Sequence, residues 1–270
     1  MKLTVLPFGG LGNRMRVIDS AFLVSEQNNK SPVNLIWLRK WELNAPFYSI
    51  FQPFPKPLNL VDGAVYYFFL YLVKHIYVQK FEKLYRFIFK LYYDLVLLDN
   101  DIKEKQPEEI YGLTKGKKRI LIASCYGFQN SSNFESFNPS DNVKKQLDRL
   151  NLPESYIGVH IRRTDHSTII KESGLEEFVK ACDKEISENN EVKFFLATDD
   201  RIVKSTFQNQ FGERLITQET ELSRDSEEGI IGAYVDILAL SGAEKIICNL
   251  KSSFAETAIK IGKIKEVIEI

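Results

Sequence analysis

The sequence predicts an α/β fold, and its best-supported part is a parallel sheet in the C-terminal half. Three observations carry that expectation. From residue 156 onward, short apolar runs alternate with longer amphipathic ones, the pattern of βαβ units. Two of the apolar runs stop abruptly at charged residues, 156–162 at Arg162 and Arg163 and 194–198 at Asp199 and Asp200. The chain also begins with strand, glycine turn and helix: an apolar run at 3–8, then Gly9-Gly-Leu-Gly-Asn-Arg14, then a helical run from Met15.

Composition sets the outer bounds. With 270 residues, 44% of them hydrophobic, the chain can build one large α/β unit or two modest domains. A change in composition near 138–155 places the expected boundary, giving domains 1–150 and 151–270. Lys and Arg total 36 and so do Asp and Glu, so no charge imbalance recruits nucleic acid. Cys125, Cys182 and Cys248 are widely spaced, with no CxxC pair or histidine cluster. They fit reduced, buried thiols and indicate no zinc site. The start of the chain lacks an apolar leader, and the most apolar stretch, 64–73, ends at Lys74, about half of the roughly 20 residues a bilayer span needs. A soluble, cytoplasmic protein is expected.

The first strand, glycine turn and helix (to about 26) form the local architecture of an anion site. Glycines admit close approach and helix N-termini present free N–H groups. The motif is incomplete, because a dinucleotide fingerprint needs a small residue where Met15 stands and a P-loop needs Gly-Lys-Ser/Thr. A strand at 33–38 closes a βαβ-like start. Prolines at 46, 53, 55 and 57 mark irregular chain. In the aromatic segment 64–98, apolar residues at 77, 81, 84, 85, 88, 91 and 92 recur at helical spacing, which predicts one or two amphipathic helices. A helix packed on the sheet or lining an acceptor groove is the preferred reading, and the Lys and Arg interruptions also suit a peripheral membrane contact. His75 reads as a surface histidine. The apolar run 95–98 leads into Asp99-Asn-Asp101, two carboxylates close enough to hold Mg²⁺ or Mn²⁺. A Lys/Glu-rich loop (103–118), a strand (119–126), a loop (127–140) and a helix (141–150) follow.

The second half reads as strand 156–162, helix 174–189, strand 193–198, helix 200–210, strand 214–217, helix 228–242, strand 245–249, helix 252–262 and strand 265–269. In such sheets ligands bind beyond the carboxyl ends of strands. Arg162 and Arg163 carry planar donor forks that match phosphate, but they alternate in direction and need not share a task. Of Asp199 and Asp200, one is placed to accept from ribose hydroxyls or a guanine N–H edge, while the other caps the helix from Arg201. Ser252 and Ser253 open a helix whose free amides and dipole favour a phosphate. Asp236 is expected to point away from the apolar face of its helix (Ile230, Ile231, Tyr234, Ile237, Leu238, Ser241), toward solvent or a supporting role.

His160-Ile-Arg-Arg-Thr-Asp165, Phe195-Leu-Ala-Thr-Asp-Asp200, and Val235-Asp-Ile-Leu-Ala-Leu-Ser241 followed by Ser252-Ser-Phe254 resemble, in order and spacing, the donor-site motifs of a superfamily. Its members are the α-1,6-fucosyltransferases, nodulation-factor fucosyltransferases and protein O-fucosyltransferases. The resemblance covers 156–262, and the glycine loop at 9–14 is similar to the N-terminal loop of the same superfamily. It implies a GT-B-like architecture of two Rossmann-like domains facing a cleft, with the acceptor-side domain first and the donor domain second. It also implies GDP-fucose as donor substrate, no metal or other cofactor, and transfer to a glycan with inversion.

By that resemblance Arg162 holds the β-phosphate and Arg163 supports it. His160 and Asp199 or Asp200 contact the nucleoside, and Ser252, Ser253 and Phe254 contact the diphosphate. Gly10, Gly12, Asn13, Arg14 and Asp165 join the donor-binding set, with Asn13 toward the sugar. The chain departs from the pattern at the catalytic base, since the glutamate of the α-1,6 enzymes falls here on Ile170. Glu172 is the candidate base, with Asp19 and Asp165 as alternatives. The competing readings are a metal-dependent glycosyltransferase using Asp99 and Asp101, and a non-catalytic nucleotide-sugar or glycan-binding protein. A nicotinamide oxidoreductase rests only on the incomplete glycine loop.

Overall fold

The computed structural model describes residues 1–28, 30–39, 42–63, 69, 82–130, 134–162, 173–219, 223–250 and 252–270. They form two compact units, one of residues 1–140 with 223–230 and the other of 141–222 with 231–270. The division falls one helix earlier than the expected boundary at 150. A short later segment returns to the first unit, where the Asn44 N–H donates to the Arg224 carbonyl at 3.0 Å and Asn44 Nδ2 to that of Asp225 at 2.9 Å. Among the described residues no helix is long and apolar enough to cross a membrane.

The first unit is built on a parallel sheet of β1 (Lys2–Pro7), β2 (Val33–Trp37), β3 (Leu58–Asp62), β4 (Leu95–Leu98) and β5 (Arg119–Ser124) in the order β3-β2-β1-β5-β4. Strand alternation sends Leu6, Ile36, Val96, Leu98, Leu121 and Ala123 to one face, where Tyr85 and Phe89 of helix α3 (Glu82–Lys90) cover them. Helix α1 (Leu11–Gln27) packs on β1 and β2.

β3 is hidden in the sequence between Pro57 and Gly63, because an edge strand only partly covered on one face carries too short an apolar pattern to announce itself. The proline-marked segment before it holds a turn of helix, α2 (Phe47–Ile50). That segment is ordered by aromatic packing. The Phe47 ring meets Trp37 edge-on at 5.2 Å and Phe54 at 5.2 Å, and Trp37 Nε1 donates to the Ala45 carbonyl at 2.9 Å. Helices α4 (Asp99–Lys103) and α5 (Pro107–Thr114) occupy most of the expected loop at 103–118 and the acidic triplet before it. Of the expected helical region 64–98, residues 64–68 and 70–81, His75 among them, lie outside the described residues.

The second unit follows the sequence closely. Strands β6 (Ile157–Ile161), β7 (Phe194–Thr198), β8 (Leu215–Thr217), β9 (Lys245–Cys248) and β10 (Glu266–Glu269) form a parallel sheet in the order β10-β9-β6-β7-β8. The connecting helices are α7 (Ser173–Glu188), α8 (Arg201–Phe211), α9 (Glu227–Ser241) and α10 (Ser253–Gly262), with α6 (Asp141–Asp148) leading into the unit. After β6 the chain winds outward through β7 and β8, then returns to β9 on the other side of β6. The crevice beyond the carboxyl ends of β6 and β9 is therefore the topological switch point of this sheet, the position where open α/β sheets take ligands.

β6 is central and buried along its whole length. Gly158 lets the chain around α9 approach it, since a Cβ at this position would lie 2.9 Å from Leu240 Cδ2 and 3.3 Å from Ala243 Cβ. Gly158→Val is expected to lower stability by about 1–3 kcal/mol through overpacking, read as a shifted urea midpoint. An unchanged midpoint would contradict so close an approach.

Candidate functional site

In the second unit the strand-end motifs converge at the switch point. The Arg162 backbone N–H, just past β6, donates to Asn249 Oδ1, just past β9, at 2.7 Å. One residue pair away, His160 Nε2 lies 3.0 Å from Ser252 Oγ, and the imidazole stacks on the Phe254 ring with centroids 4.9 Å apart and planes 20° from parallel. Ser252 is also the N-cap of α10 and accepts from the Ala255 N–H at 3.4 Å. Its hydroxyl thus joins the end of β6 to the start of the helix. Ser253 and Phe254 occupy the first turn of α10, half-buried, where uncapped amides and the helix dipole favour an anion. Arg162, Ser252, Ser253 and Phe254 therefore gather at one end of one sheet. Asn249 was not singled out from sequence, and an asparagine one residue past an apolar run gives little signal.

Burial is the largest influence on His160 and, with the Arg162 charge adding to it, pushes the imidazole down to about 4, against the opposing pull of Asp199 and the Ala197 carbonyl. The ring is accordingly neutral at neutral pH. It serves as a hydrogen-bonding and stacking platform, not as a second cation beside Arg162.

Beyond the ends of β7 and β8 lies a cavity of about 490 Å³ lined by Thr198, Asp199, Lys204, Gln218 and Asp236, among others. Asp200 accepts from the Ile202 N–H at 2.7 Å and the Val203 N–H at 3.3 Å, so it is the acid that caps α8, and Asp199 is the one set beside His160. Asp236 corrects the sequence reading. It is buried at 2% exposure and lines the cavity, because α9 is enclosed on nearly every side by Ile230, Ile231, Tyr234, Val235, Ile237, Ala239 and Leu240. Its Oδ1 accepts from Gln218 Nε2, which also donates to the Gly232 carbonyl at 2.8 Å, while Lys204 Nζ donates to the Gln218 carbonyl. Burial pushes the Asp236 carboxyl up to about 7, against lowering by the Gln218 hydrogen bond and by Lys204. Arg163, Asp165 and Glu172 lie outside the described residues.

The first unit has a switch point of its own, between β1 and β5. Gly9 turns there with φ +83°, and a Cβ on it would meet Asn13 Nδ2 at 2.7 Å and Cys125 Cβ at 3.3 Å. Only glycine suits both the conformation and the space. Gly10 is the N-cap of α1, Gly12 is buried in its first turn, and Asn13 Oδ1 accepts from Arg16 Nη2. Arg14, expected to contact the donor, is 2% exposed. Its Nε donates to the Gly9 carbonyl at 2.9 Å and its Nη1 to the Leu38 carbonyl at 2.6 Å, and its guanidinium lies 4.8 Å from the centre of the Trp37 ring. Burial lowers the guanidinium to about 10, which leaves it charged at neutral pH. Arg14 thus locks the glycine loop to the end of β2 instead of facing a ligand. Asp19, a candidate base, is buried at 6% exposure on α1.

The acidic triplet has structural employment. Asp99 Oδ1 accepts from Ser124 Oγ at 2.8 Å and the Cys125 N–H at 2.9 Å, while Asp101 Oδ2 accepts from Arg86 Nη1 at 2.7 Å and the Leu98 N–H at 2.9 Å. The two carboxylates are thus held on different partners. No cluster of three or more His, Cys, Asp or Glu suited to a metal occurs among the described residues.

The Asp236 carboxyl has a consequence that can be measured. In the unfolded chain it titrates near 4, so between about pH 4 and 7 the folded protein binds the extra proton, and stability falls as pH rises across that window. Asp236→Asn is expected to flatten the stability profile over that range. Near pH 8 the variant should exceed the parent by on the order of a few kcal/mol, measured by urea denaturation. A variant as pH-sensitive as the parent would contradict the assignment.

No protein-family model and no curated protein sequence matches this chain. Solved structures do. The fucosyltransferase NodZ from Bradyrhizobium superposes with a TM-score of 0.68 at 16% identity, over 100% of this chain and 95% of that one. NodZ α-1,6-fucosyltransferase soaked with GDP-fucose gives the same values. A mutant of Arabidopsis thaliana FUT1 in complex with GDP gives a TM-score of 0.63 at 14% identity, covering 98% of this chain and 70% of that one. POFUT1 in complex with GDP gives 0.54 at 10% identity, covering 99% and 97%. Two parallel five-stranded sheets in this order, matched from end to end, give the chain the GT-B fold of these fucosyltransferases.

Proposed function

We propose that this chain is a glycosyltransferase that moves fucose from GDP-fucose to a hydroxyl of a glycan or glycoconjugate, with inversion and without a metal ion. The observation that carries the reading is the convergence at the β6–β9 switch point of Arg162, neutral His160 and the serine-opened N-terminus of α10. The shared fold with NodZ soaked with GDP-fucose, and with FUT1 and POFUT1 in complex with GDP, supports the same donor.

The chemistry follows from charge. Breaking the bond between sugar and phosphate builds negative charge on the departing diphosphate, and donors already aimed at it lower the barrier. Arg162 takes the β-phosphate, with Arg163 beside it. The amides and hydroxyls of Ser252 and Ser253 at the head of α10 supply the field that a divalent cation supplies elsewhere. The nucleoside enters the cavity beyond β7 and β8, where Asp199 and Asp236 offer acceptors to ribose hydroxyls and to the N–H edge of guanine. Phe254, stacked on His160, walls the diphosphate side. Glu172 or Asp165 removes the acceptor proton.

Calorimetry separates this reading from its rivals. GDP and GDP-fucose are expected to bind and UDP-sugars not, with EDTA leaving both binding and transfer unchanged. Arg162→Ala is expected to lower kcat by about 10²–10³. Equal binding of UDP and GDP would defeat the donor assignment. Tight GDP binding with no transfer or hydrolysis over a broad acceptor panel would mark a sugar-nucleotide binding protein instead of an enzyme.

A further inference from the structure

Helix α3 has two apolar faces, and among the described residues only one of them is packed. Tyr85 and Phe89 pack on the first sheet, and Arg86 fixes the rotation of the helix by bonding to Glu82, to Asp101 and to the Val96 carbonyl. On the opposite side Leu84, Phe87, Ile88 and Leu91 follow one another at spacings of three, four and seven residues, a continuous helical stripe. They are 52%, 64%, 40% and 72% exposed. A helix whose sheet-facing side is already filled has no need of this second stripe for folding. Contiguous exposed apolar surface of this kind marks an interaction face.

The charges around the stripe identify the partner. Lys83 and Lys90 lie on its shoulder. At its far end the half-exposed Tyr92 ring has Lys2 Nζ 5.9 Å and the Arg119 guanidinium 5.1 Å from its centre. The nearby carboxylates are already engaged, Glu82 by Arg86 and Asp94 by Arg119 and the backbone N–H groups of Lys118 and Arg119. Among the described residues Lys2, Lys83 and Lys90 leave this face net positive, even with Arg86 shared between Glu82 and Asp101. We propose that it docks on a membrane surface containing anionic lipid, with Leu84, Phe87, Ile88 and Leu91 entering the acyl boundary, the lysines at the phosphates and Tyr92 at the headgroup level. A second copy of the same face would bring like charges together.

Vesicle co-sedimentation of the whole chain tests the proposal. Binding is expected with phosphatidylcholine vesicles containing phosphatidylserine, to weaken with added salt, and to be lost with phosphatidylcholine alone. Phe87→Ser with Leu91→Ser, and separately Lys83→Glu with Lys90→Glu, should each lower the bound fraction by roughly tenfold or more. The urea unfolding midpoint should be unchanged in both variants, which reports that they fold and keeps this test independent of the donor assignment. Absence of binding to either vesicle, equal binding to both, or a dimer in light scattering that Phe87→Ser dissolves would each overturn the proposal.

Discussion

A parallel strand leaves its last backbone groups without ladder partners, and what meets them decides where the chain goes next. At β6 the answer is Asn249: its side-chain oxygen takes the Arg162 N–H, so the first residue beyond the central strand is held by the loop beyond β9. The His160–Ser252 contact repeats the tie one residue earlier. Together they fix the crevice at the switch point. An arginine on a free loop would sample many positions, whereas here the Arg162 backbone is tied to the loops beyond β6 and β9.

The first unit meets the same problem by other means. Its loop after β1 is held by a buried cation, Arg14, whose donors reach back to Gly9 and across to Leu38 while Trp37 offers its ring face. An arginine taken out of water needs such company. It receives two carbonyls and an aromatic face as direct partners, with the Glu42 carboxylate acting on it through charge. The two units thus share an architecture, a crevice beside a central parallel strand, but one secures it with neutral polar side chains and the other with a caged positive charge.

What could be read from the sequence depended on whether the controlling partner was near in the chain. The apolar runs at 157–161 and 194–198 stop at polar residues, so strands β6 and β7 and the chemistry at their ends were legible, as was the serine-opened start of α10. Asp200 as a cap was legible for the same reason, its acceptors being two and three residues away. Arg14 was misread because its second acceptor lies 24 residues on. For Asp99 and Asp101, offered by the sequence as an alternative metal pair, the partners Ser124 and Arg86 are remote in sequence and gave no signal there. Asp236 escaped because helical periodicity assumes one wet face, and α9 is buried almost all round.

The return of residues 223–230 to the first unit bears on how the chain is made. During synthesis, 140 residues emerge and can begin to collapse, yet the segment that bonds to Asn44 follows 180 residues behind it. Closing so long a loop is slow and makes maturation of the early half wait on the late one. A chain cut before residue 223 would leave the first unit without its final piece.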